Sequence, residues 1–130
     1  MTVMSGVDAL LQQMLYNGVD TIVGLAGGHL DHFFDSMYRG ADRVGFIASR
    51  HERGAAYMAI GYARSTDRPG VCMVVPGPGA LNTMTALCTA YATNALVTCL
   101  SGQIPSAAVG RGIGYLHELP DRLATLRRRE

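Results

Sequence analysis

Four short stretches of the chain join residue types able to do chemistry with backbone able to approach a ligand. They are Gly27-Gly28-His29, Arg50-His51-Glu52, Pro76-Gly77-Pro78-Gly79 and Ser101-Gly102-Gln103. A carboxyl group such as that of Glu52 can share or transfer a proton. Gly77 and Gly79 lack a Cβ and so allow tight turns and close approach to the main chain. Each stretch alone has a plainer reading. A glycine pair turns the chain, a Glu in the first turn of a helix complements the helix dipole, and Gly-Pro-Gly is a turn. Their weight depends on whether one edge of one structure collects them.

The elements around them say that it does. Ser5 and Asp8 stand as an S-x-x-D capping box, which satisfies two helix-end groups reciprocally. Val7, Leu10, Leu11, Met14 and Leu15 follow at helical spacing, and Gly18 supplies a left-handed stop. Thr21 to Leu25 reads as a strand buried on both faces. A helix follows Gly28, with Leu30, Phe33, Phe34 and Met37 as its apolar stripe. The alternation continues with strand Val44 to Ala48, helix Glu52 to about Ser65 and strand Val71 to Val75. Helix Gly79 to about Thr93 and strand Leu96 to Leu100 complete it. Strands alternating with helices predict an α/β fold of flavodoxin or Rossmann type. A parallel sheet would carry helices on both faces, in three α/β/α layers. Ligands of such sheets bind outside the carboxyl ends of the strands, and all four stretches fall there. Ser106 to Gly114 reads as a mobile, Gly-rich loop. Leu116 to Arg128 could form a last helix with Pro120 in its first turn. No linker divides the chain, so residues 1–130 are expected to form one domain.

Composition narrows the class. Of 130 residues 48% are hydrophobic and 16% charged, a globular balance that is rather apolar for a free monomer. A net charge of +1 gives no reason to expect nucleic acid or an anionic membrane as partner. The basic run Arg127-Arg128-Arg129 fits a solvated helix end. Cys72, Cys88 and Cys99 lie in apolar or small-residue segments without metal-type spacing. Free thiols, no signal-peptide pattern and no apolar run long enough to span a bilayer point to the cytoplasm. His29, Asp31, His32 and Asp35 could be drawn as a metal cluster, but without further ligands nearby a solvated helix face is the better account. No metal ligand is assigned.

Arg50-His51-Glu52-Arg53-Gly54-Ala55-Ala56, running on to Gly61-Tyr62-Ala63-Arg64, resembles a signature of the acetolactate synthase-like thiamine-diphosphate enzymes. Pro69-Gly70-Val71, leading into Val75-Pro76-Gly77-Pro78-Gly79-Ala80-Leu81-Asn82, is similar to the next motif of that family, and Ser101 to Pro105 to the one after it. The resemblance is to the N-terminal, pyrimidine-binding domain. It implies that Glu52 is catalytic, hydrogen-bonding a ring nitrogen of the aminopyrimidine so that the imino tautomer can remove the C2 proton. It implies that Val75, Gly77, Pro78 and Asn82 line the same pocket. Gly27, Gly28 and Gln103 fall at the substrate end. His29 shares that loop, although a surface imidazole at a helix start would look the same in sequence.

The family's domain normally continues past Arg128, and a separate domain binds Mg²⁺ and the diphosphate. No P-loop or Mg²⁺ carboxylate set appears here. The expectation is therefore a C-terminally truncated half-site that binds only the pyrimidine end of thiamine diphosphate. It would be inactive alone and would complete a 2-keto acid site with a second copy or a diphosphate-binding domain or subunit. Ala80, Met84, Leu87, Cys88 and Tyr91 share a helix face suited to that contact. An alternative is a non-catalytic dimerisation module of the same fold. A dinucleotide-binding unit fits poorly, because Gly77-Pro78-Gly79 lacks the third glycine of G-x-G-x-x-G.

Overall fold

The computed structural model describes residues 3–40, 42–119, 121 and 124. The helices are α1 (Gly6–Tyr16), α2 (Asp31–Arg39), α3 (Glu52–Thr66), α4 (Pro78–Asn82) and α5 (Met84–Ala92). The strands are β1 (Thr21–Gly24), β2 (Gly45–Ala48), β3 (Gly70–Val74) and β4 (Val97–Ser101). They form one parallel sheet in the order β2-β1-β3-β4.

Alternation along the central strands builds a core on each face. Ile22, Val71 and Met73 point to the side where Leu11, Met14, Phe33 and Met37 bring in α1 and α2. Val23 and Cys72 point to the other side, under Ala55, Ala56 and Ala59 of α3 and Ala86 and Ala90 of α5. The result is the three-layer α/β/α arrangement that the strand–helix alternation predicts. β3 is buried along its whole length. β2 is an edge strand and mostly exposed. Small residues on α3 let it approach the sheet closely. A Cβ on Gly70 would lie only 2.0 Å from the carbonyl oxygen of Ala59.

Three local expectations change. Ser5 Oγ does accept the Asp8 amide at 3.1 Å, but the Asp8 carboxylate turns away from the rest of the capping box. It accepts from the hydroxyls of Ser5 (2.8 Å) and Ser36 (2.6 Å) and from Arg39 (2.8 Å), tying α1 to α2. The single helix expected from Gly79 to Thr93 is two. Both the amide and the hydroxyl of Thr83 go to the Ala80 carbonyl, at 3.2 and 2.6 Å, which interrupts the regular ladder. At the C-terminal end, residues 116 and 117 form a turn and no helix begins at Leu116. Most of the helix expected beyond them lies outside the described residues. Among the described residues no helix is long and apolar enough to cross a membrane.

The Asp8 contacts give a pH prediction. The Ser36 hydroxyl, then that of Ser5, with Arg39 adding, lower its pKa to about 2. A folded-state pKa below the unfolded value of about 3.9 stabilises the fold above that value. The contribution is lost as the pH falls through about 2. Urea midpoints should therefore fall from pH 4 towards pH 2, and Asp8→Asn should flatten this slope. An equal slope in the variant would assign it to other carboxylates.

Candidate functional site

Glu52 opens α3, directly after β2. His51 is its N-cap, with Nδ1 accepting the Arg53 amide at 3.1 Å. This imidazole, without a role in the sequence, thus fixes how the helix starts. Helix N-termini favour negative charge, and the Glu52 side chain sits there with only 15% exposure. Its Oε2 accepts from Asn82 Nδ2 at 3.0 Å and lies 3.8 Å from His51 Nδ1. Its Oε1 faces the turn after β3, where a Cβ on Gly79 would come within 3.6 Å of it.

That turn is shaped by backbone rather than side chains. Gly77 has φ +63° and ψ −120°, a conformation open in practice to glycine. A Cβ there would also meet the His117 carbonyl oxygen at 2.6 Å. A Cβ on Gly79 would strike Val75 Cγ2 at 2.7 Å. Pro78 takes the first position of α4, where its missing amide hydrogen is no loss, and its ring is exposed. Glu52, Val75, Gly79 and Asn82 therefore meet at one point, contributed by α3, the end of β3 and α4.

The second group of predicted residues lies beside the first. Gly27 abuts Val75, since a Cβ on it would fall 2.3 Å from Val75 Cγ1. Gly28, His29 and Gln103 line an open cavity of about 580 Å³ together with His32, Pro105, Tyr115 and Leu116. Gly102 packs on the backbone of His29, which would lie 2.7 Å from an added Cβ. The strand-end loops thus form one continuous rim, with the carboxylate at one end and the cavity at the other.

Sequence reading missed His117 and Tyr115. Their rings pack edge-on against His29, with centroids 5.4 and 6.2 Å from it. The sequence places Leu116 and His117 at the start of a helix, and nothing local signals that this segment instead folds back over the Gly-Pro-Gly turn. Among the described residues no group of three or more His, Cys, Asp or Glu side chains could hold a metal ion.

The site thus sets a glutamate at a helix start against a Gly-Pro-Gly turn at the edge of a parallel sheet, and comparison with known proteins identifies the family. Residues 4–125 match the model of the thiamine pyrophosphate enzyme N-terminal TPP-binding domain. The chain belongs to that family. It is 42% identical over 118 residues to a probable 2-ketoarginine decarboxylase of Pseudomonas aeruginosa, covering 89% of this chain and 20% of that protein. It is 43% identical over 109 residues to an acetolactate synthase of Arthrospira platensis (82% and 19%). With the acetolactate synthase isozyme 2 large subunit of Escherichia coli it shares 37% over 107 residues (82% and 19%). The chain thus spans about a fifth of the length of these relatives.

Proposed function

We propose that the chain supplies the pyrimidine half of a thiamine diphosphate site in an enzyme acting on 2-keto acids. The observation that carries this reading is the Glu52 carboxylate, held at a helix start by Asn82 with one oxygen over the Gly79 backbone. A flat, nitrogen-bearing ring fits this surroundings. Val75 offers an apolar side, the missing side chains of Gly77 and Gly79 let the turn close against His117 and Val75 beside the carboxylate, and Pro78 stiffens it. When bound, thiamine diphosphate supplies a carbon nucleophile for the 2-keto carbonyl and an electron sink for carbon dioxide loss. Glu52 serves as the proton-sharing group at a ring nitrogen. Asn82 occupies Oε2 and so orients the carboxyl group, leaving Oε1 for that proton. Gly27, Gly28, His29 and Gln103 border the space for the 2-keto acid, since three of them line the cavity next to Val75. The names of the relatives support a 2-keto acid as substrate.

The diphosphate and its Mg²⁺ belong, in this proposal, to a partner domain or subunit, and the chain by itself is inactive. A second copy covers the outer side of α3 and α5. There Tyr91 is 78% exposed, and Tyr57, Met58 and Cys88 add to the surface. The free thiols fit a reducing cytoplasm.

Mixing the chain with a protein that carries the diphosphate-binding half but no pyrimidine domain tests the reading. We expect 2-keto acid consumption that depends on thiamine diphosphate and Mg²⁺, with each component alone at background. A stable complex that consumes none would favour a non-catalytic association module instead.

A further inference from the structure

The β3–β4 register sets Cys72 directly opposite Cys99. Both side chains lie on the face of the sheet covered by α3 and α5. Adjacent strands run about 4.8 Å apart, inside the Cα separation of about 4.4–6.8 Å over which two cysteines can be bridged. Both thiols are free. Cys72 is fully enclosed, whereas Cys99 is partly open to solvent. The two are unequal as acids. The Cys72 thiol beside it, helped by the Thr83 hydroxyl 3.8 Å from its sulfur, makes Cys99 the easier to ionise. The neighbouring Cys99 and burial push the Cys72 thiol up. One sulfur is thus partly open to solvent and the easier to ionise, and the other is buried and placed to follow it. That division suits an attacking and a resolving thiol.

We propose that Cys72 and Cys99 form a dithiol site that hydrogen peroxide oxidises to an intramolecular disulfide. In the first step the Cys99 thiolate attacks one peroxide oxygen. An S–O bond forms as the O–O bond breaks, and the departing hydroxide takes up the proton lost by the thiol and leaves as water. In the second step the Cys72 sulfur, giving up its proton, attacks the Cys99 sulfur. The S–S bond forms as the S–O bond breaks, and a second water leaves. Two thiols and one peroxide become one disulfide and two waters, two electrons passing from sulfur to oxygen. The bond ties β3 to β4 shortly before both strands enter the rim that carries Val75 and Gln103.

Exposed Cys88 could link two copies of the chain, so the test uses the full chain with Cys88→Ser. The reduced protein is treated with one equivalent of hydrogen peroxide, then alkylated, digested with pepsin without reductant and weighed. The expected result is a loss of both alkylatable thiols. The Cys72 and Cys99 peptides appear joined, two hydrogens lighter than their sum, and dithiothreitol separates them. In a second variant carrying Cys72→Ser as well, oxidation should stop at a Cys99 sulfenic acid that dimedone captures. Thiol loss without the joined peptide, as sulfinic acid or linked copies, overturns the proposal. So does survival of both thiols at a peroxide dose that fully oxidises Cys88 in the unaltered chain.

Discussion

Glu52→Gln is expected to lower turnover of the assembled enzyme by about 10²–10⁴-fold, the range for losing one positioned proton-transfer group. The substitution preserves size and leaves an amide oxygen that can still accept from Asn82, so the geometry of the turn should survive. It removes the carboxyl group's ability to take up or give a proton. The loss should therefore appear in kcat with little change in KM, because the cavity lined by Gly28, His29 and Gln103 is untouched. Deuterium exchange at C2 of thiamine diphosphate, followed by NMR after acid quench, should slow in proportion. If exchange in the variant matches that of the parent, Glu52 is not the proton-sharing group. Unfolding of the chain alone should differ little between the two, since the amide keeps the size of the carboxyl group and its hydrogen bond from Asn82.

The largest effect on stability is expected from Gly70→Ala. The new methyl group would sit 2.0 Å from the Ala59 carbonyl oxygen and 2.8 Å from its carbon, both main-chain atoms. Neither can turn aside as a side chain would, so α3 or β3 must shift. Ala55, Ala56 and Ala59 are wholly buried and Gly70 bonds the Leu96 carbonyl, so that shift disturbs the core and the β3–β4 pairing together. Overpacking typically costs about 1–3 kcal/mol, and a clash with two main-chain atoms belongs at or beyond the top of that range. Gly61→Ala is the control. It lies in α3, the helix that carries Ala59, with open space around it, so it should stabilise by about 0.5–1 kcal/mol through backbone entropy. Equal urea midpoints for the two variants would show that the close approach of α3 carries no weight.

The layered fold was legible because its signal is redundant. Apolar runs with β-branched residues, Gly18 as a stop and repeated strand–helix alternation all specify the same outcome. Glu52, Val75 and Asn82 were legible by resemblance, and their convergence follows from the rule that strand-end loops meet at one edge. The unread features depend on distant partners. Asp8 looks like half a capping box until Ser36 and Arg39 arrive from another helix. Thr83 looks helical, yet its hydroxyl finds the Ala80 carbonyl and splits the helix. His117 reaches Gly77 and His29 only through the path of the segment after β4.

The contact of Gly70 with Ala59 also bears on ligand binding. It pins α3 about two turns from the end that carries Glu52, so the carboxylate borrows its stiffness from the protein interior. A ligand arriving at that end finds the helix already ordered and gives up little freedom in fixing it. The thermodynamic mark of such a lock is an association entropy nearly indifferent to substitutions in residues 62–66, beyond the pinned turn. Substitutions between Glu52 and Ala59 would change it.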